Sequence, residues 1–107
     1  MGKLVRDKIP EIIEASGRTP LFYETSGHNY WEFLIDKLLE EAREASEHTP
    51  YKKGRAGIES ELADVLEVLY ALCDNLDVPF ASIQEARLQK KMERGGFSKG
   101  YILTGVE

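Results

Sequence analysis

From Asn29 to His48 the chain runs NYWEFLIDKLLEEAREASEH, without glycine or proline, and Trp31, Leu34, Ile35, Leu38, Ala42 and Ala45 return at intervals of three and four. That is the helical period, so the stretch predicts a long amphipathic helix. A second such stretch runs from Ile58 to Leu76 and stops at Asp77–Pro79, because proline cannot continue a helix. Between the two, TPYKKGRAG carries Pro50, Gly54 and Gly57 and is expected as a polar, basic break. Two long helices with a short connection pack antiparallel, so the expected fold class is mainly all-α.

Shorter elements flank this hairpin. KIPEIIEAS reads as a short helix with Pro10 near its first turn and Gly17 as its stop, and Phe80 to Arg94 as a more basic helix stopped by Gly95 and Gly96. RTPLFYETSG, bounded by Pro20 and Gly27, and the C-terminal YILTGV are apolar enough for strands. A lone strand needs a partner, so these two are expected to pair as a small two-stranded β element. The chain of 107 residues, 42% hydrophobic and 31% charged, has the size and composition of one compact folding unit.

The acids make this hairpin unusual. At roughly 100° per residue, Val68, Leu72, Val65, Ile58, Leu69, Leu62, Cys73 and Leu66 cover an arc of about 160° on the second long helix, with Glu61 inside it and Asp64 at its edge. On the first long helix Glu41 falls between Tyr30 and Leu34 at the border of the apolar stripe, with Glu44 just outside. An antiparallel hairpin therefore brings Glu41, Glu44, Glu61 and Asp64 together. If each pair of charges lay about 6 Å apart at an effective dielectric near 20, repulsion would be about 3 kcal/mol per pair. Summed over four acids this exceeds about 10 kcal/mol, comparable with the whole stability of a domain. Such a cluster must bind cations, take up protons or splay apart. The alternative is a helix register that turns the acids into water. Oxygen ligands without cysteine or histidine suit a hard ion, Mg²⁺ or Mn²⁺. A di-iron bundle would want Glu-x-x-His pairs, which His28 and His48 do not supply.

Other classes are excluded more simply. The net charge of -5 argues against a nucleic-acid polymer as partner. No apolar run approaches the roughly 20 residues of a membrane helix, and MGKLVRDKIPEII lacks the uninterrupted apolar segment of a signal peptide. Arg6 stands where myristoylation wants Ser or Thr, so a cytoplasmic protein is expected. The single cysteine, Cys73, lies in an apolar run and reads as a core residue.

EEARE at Glu40 to Glu44, followed by ELAD at Glu61 to Asp64, resembles the E-E-x-x-E and E-x-x-D motifs of the all-α nucleoside triphosphate pyrophosphatases. That superfamily includes the MazG proteins, the dimeric dUTPases and phosphoribosyl-ATP pyrophosphohydrolase. KLVRDKIPEII and KKMERGGF further resemble a branch of MazG-like, phosphoribosyl-ATP pyrophosphohydrolase-like house-cleaning enzymes, so the similarity spans most of the chain. The resemblance implies that Glu41, Glu44, Glu61 and Asp64 bind Mg²⁺ and that a nucleoside triphosphate is split into a monophosphate and pyrophosphate. Glu40 matches the first motif position, but the helical wheel turns it away from the cluster. Glu44, toward solvent, is the candidate to take the proton of the attacking water.

Phosphates not covered by metal call for cations, and Lys3, Arg6, Lys37, Lys91 and Arg94 are the substrate-binding candidates, with Lys8 beside them in the N-terminal signature. Trp31 and Tyr30 read first as core and second as surfaces for stacking on a base. Leu69, Tyr70, Ala71, Leu72 and Cys73 are consecutive and occupy every side of their helix. One partner helix cannot cover them, so the bundle is expected to be completed by a homodimer or higher oligomer with Leu69 and Tyr70 near the interface. Two competing functions are phosphoribosyl-ATP hydrolysis in histidine biosynthesis and a non-catalytic helical module for nucleotide sensing or protein binding.

Overall fold

The computed structural model describes residues 2–47 and 50–107, except for the side chains of 50–53. Among the described residues the architecture is all-α, with helices α1 (Ile9–Ala15), α2 (Gly27–Glu47), α3 (Pro50–Leu76) and α4 (Phe80–Arg94). The chain divides into two compact units, Met1–Asp77 and Val78–Glu107.

In the first unit, α1 carries Pro10 in its first turn, where its missing N–H costs nothing, and Glu11 in the same turn complements the helix dipole. At seven residues α1 is too short to persist alone; Ile9 and Ile13 are half-buried. α2 begins two residues earlier than the apolar period suggests, at Gly27, and the Tyr30 N–H donates to the Ser26 carbonyl at 3.3 Å. The expected end at His48 lies outside the described residues.

α3 narrows the expected glycine-rich break to one residue, Gly54, where two helical segments meet at a kink. Helix begins at Pro50 and runs to Leu76, and only Gly54 departs from helical geometry, with φ 68° and ψ -178°. That backbone region is open essentially to glycine alone. Gly57 is absorbed within the helix, at a cost of about 1 kcal/mol relative to alanine, and proline is tolerated in a first turn. At the other end Asp77 adopts φ 59° and its N–H donates to the Asp74 carbonyl at 3.3 Å, before Pro79 forbids continuation.

α2 and α3 pack against each other. Their antiparallel sense follows from which residues meet. Glu41 approaches Glu61 and Asp64, while His28 and Trp31 share a hollow with Asn75 and Leu76. Among the described residues the buried side chains are Leu34 and Glu41 on α2 and Val68 and Cys73 on α3.

The second unit consists of α4 and the irregular stretch after it. α4 ends where Gly95, at φ 84°, donates its N–H to the Lys91 carbonyl at 2.8 Å, with Lys91 and Arg94 in the last turn opposite the negative end of the dipole. The expected strand pair does not form: among the described residues there is no strand, and 18–26 and 101–106 are irregular. They belong to different compact units. Leu21, Phe22, Tyr101, Ile102 and Leu103 stay exposed, so strand-like composition met no ladder to join.

Candidate metal centre

Three of the four expected acids come together. One carboxylate oxygen each from Glu41, Glu61 and Asp64 lie within 4.8 Å of one another. The helix period explains how. Glu41 stands two turns after Leu34 on the face of α2 that α3 covers, and Glu61 and Asp64 are one turn apart on α3. Glu41 is more central than a border position, only 7% exposed. Glu61 and Asp64 are half-buried. Glu44, also half-buried, stands outside the group of three. It lies about 60° around α2 from Glu41, which turns it away from α3.

Two cations already serve this cluster. Lys37 Nζ lies 3.4 Å from Glu41 Oε1 and 3.7 Å from Glu40 Oε2, one turn along the same helix. Arg6, from the irregular segment before α1, donates from Nη2 to Asp64 Oδ1 at 2.7 Å. Both are candidates for substrate phosphates by sequence, and both here pair with the acids. Two cations against three carboxylates leave the group formally acidic. The other oxygen of Glu41, Oε2, is buried and has no hydrogen-bond partner among the described residues. A buried carboxylate oxygen left this way costs about 1–3 kcal/mol or more. With Lys37 on Oε1, it leaves the second oxygen of Glu41 open to a further donor or ion. An all-oxygen donor set at this spacing fits Mg²⁺ or Mn²⁺, which prefer carboxylates and water.

Lys3 is exposed on the N-terminal segment, and Lys91 and Arg94 are exposed in the second unit. The first unit holds another feature at the far end of the hairpin. Trp31 is half-buried and stacks on His28, with ring centroids 5.9 Å apart and planes 14° from parallel, and His28 Nε2 lies 2.9 Å from Glu32 Oε1. His28 and Trp31, with Gly27, Asn75 and Leu76, line an open hollow of about 370 Å³. Sequence reasoning considered Trp31 and missed His28, although their spacing of three residues was the available signal.

No family model matches the chain, and no solved structure matches it. A protein of Mycolicibacterium smegmatis (strain ATCC 700084 / mc(2)155), described as an uncharacterized protein, is 54% identical over 44 residues. That match covers 41% of this chain and 45% of the relative, so the chain spans less than half of the length of the relative it matches.

Proposed function

We propose that the chain is a Mg²⁺-dependent nucleoside triphosphate pyrophosphohydrolase of the MazG-like house-cleaning type. The observation that carries this is the convergence of Glu41, Glu61 and Asp64 with the orphaned, buried Oε2 of Glu41. Its sequence support is the order of EEARE and ELAD on consecutive helices. Glu41, Glu61 and Asp64 would hold the ion, whose charge would offset that of the phosphates and acidify water. The protein's own groups do the rest. Glu44, one turn after Glu41 and outside the group of three, would accept the water's proton. Arg6 and Lys37, which already pair with the acids, would orient a polyphosphate, with Lys3, Lys91 and Arg94 as further candidates. A cytoplasmic enzyme acting on free nucleotides fits the acidic charge of -5.

The working assembly is a homodimer or larger. Leu62, Leu66, Leu69, Tyr70 and Leu76 form an exposed apolar stripe along α3, between 37% and 55% accessible. A second copy is the simplest cover for it.

One specific observation favours a second reading. Lys37 and Arg6 largely offset the charge of the acids without any ion, which suits a non-catalytic helical module. Incubation with a panel of nucleotides and Mg²⁺, with pyrophosphate as the readout, separates the two. Release of pyrophosphate that chelator abolishes supports the enzyme. Release confined to phosphoribosyl-ATP would move it to histidine biosynthesis, and none from any nucleotide would favour the module.

A further inference from the structure

We infer that Arg6 is an exchangeable counter-ion: it occupies Asp64 while no metal is present and transfers to a phosphate oxygen when a metal–polyphosphate ligand arrives, so that one guanidinium couples the two binding events. This rests on the reading of Glu41, Glu61 and Asp64 as a divalent-ion site and names how that site is regulated.

The geometry sets up a competition. Arg6 Nη2 is 2.7 Å from Asp64 Oδ1, and the Asp64 carboxylate also lies within 4.8 Å of oxygens of Glu41 and Glu61. Magnesium sits about 2.1 Å from its oxygen ligands. An ion reaching Asp64 at that distance would share one carboxylate with a guanidinium, and two cations so close repel. Either the metal binds weakly or Arg6 leaves.

Arg6 is the cation able to leave. Lys37 is on the same helix as Glu41, one turn away, and its side chain is 20% exposed. Arg6 comes from an irregular segment 58 residues away in sequence, and its side chain is 59% exposed. Much of its planar fork is therefore open to an incoming oxyanion, and guanidinium matches phosphate geometry with paired donors. The cluster meanwhile holds an oxygen open to a further ligand: Lys37 pairs with Glu41 Oε1, while Glu41 is 7% exposed and its Oε2 has no hydrogen-bond partner among the described residues. Metal satisfies Glu41 and displaces Arg6, and a polyphosphate rehouses Arg6. Each ligand then favours the other, as linkage requires.

The test compares wild type with Arg6→Ala and Arg6→Gln by calorimetry, using Mn²⁺ alone and then a preformed Mn²⁺–pyrophosphate complex. Mn²⁺ alone should bind Arg6→Ala about five- to tenfold more tightly than wild type, the scale of one lost ion pair plus one removed repulsion. The pyrophosphate complex should bind the same variant at least about fivefold more weakly. Opposite signs in one variant are the signature. A purely structural role would weaken both, and a role in phosphate binding alone would leave Mn²⁺ affinity unchanged. Either result overturns the exchange, as does unchanged binding of the complex. Arg6→Gln, which keeps a hydrogen bond without charge, should follow Arg6→Ala, and circular dichroism checks that the helices persist. If neither wild type nor variants bind Mn²⁺, the metal site itself falls and this inference with it. Equal Mn²⁺ affinity in all three removes only the role of Arg6.

Discussion

α3 has two long faces whose apolar side chains are covered unequally. The face toward α2 carries Val68, but also Glu61 and Asp64, which meet the buried Glu41. The rest of the apolar arc carries Leu62, Leu66, Leu69, Tyr70 and Leu76, all exposed, around the buried Cys73. Burial by hydrophobicity alone would reverse these assignments, since a leucine gains about 1.5–3 kcal/mol on burial while a carboxylate loses solvation. The apolar arc of α3, about 160° wide, is broader than one helix can cover. α2 takes the half that contains the acids. On the proposed function, a cation would complete the half-buried acid cluster around Glu41, and apolar surface would cover the leucine stripe.

The largest expected effect breaks the inner face. Glu61→Gln should lower nucleotide turnover by at least about 100-fold while leaving the far-ultraviolet circular dichroism unchanged, because one lost charge removes a metal ligand without opening a cavity. Unchanged pyrophosphate release would remove Glu61 from the site.

Breaking the outer face should change assembly instead. Leu69→Glu places a charge within the exposed stripe, and light scattering should then fall from the mass of a dimer or larger to that of the 12.1 kDa chain. A wild-type protein that is already monomeric and active would mean that the stripe has another use.

A smaller effect sharpens the comparison by giving the inner face the chemistry of the outer one. Glu41→Leu should raise thermal stability in chelator by about 1–4 kcal/mol, as buried charges replaced by apolar groups often do, while abolishing activity. Destabilisation would mean that Lys37, now lacking Glu41, costs more than the carboxylate did.

The smallest effect is the ion's own contribution. Mg²⁺ at tenfold its Kd should stabilise wild type by about 1.4 kcal/mol, read as a rise in Tm, and the Glu61→Gln, Asp64→Asn double variant should gain much less. Equal gains in both would place the ion elsewhere.

Much of this site was legible because helices turn side chains at a constant angle. That angle placed Glu61 between Val68 and Leu72 before any coordinates, and Glu41 close to Leu34. It also put Lys37 one turn from Glu41, the separation at which the two pair. Gly54 and Gly57 were less legible. Both look like breakers in the sequence, yet only Gly54 takes a backbone conformation that a helix excludes. Glycine permits a break and does not compel one.

By itself the sequence determined the four helices, the end of α3 before Pro79, and the acids that would face across a hairpin, since each depends on residues within a turn or two of one another. Only the tertiary structure decided that Glu44 stays outside the group of three, that Glu41 is buried, and that the leucines of α3 face outward. Those outcomes depend on the rotation at which α2 seats in a groove of α3, a packing choice that either helix's own period leaves open. The contact between Arg6 and Asp64 lies furthest from the sequence. It joins residues 58 positions apart through an irregular segment, where no period relates one side chain to another, and only the folded path of the chain brings them to 2.7 Å.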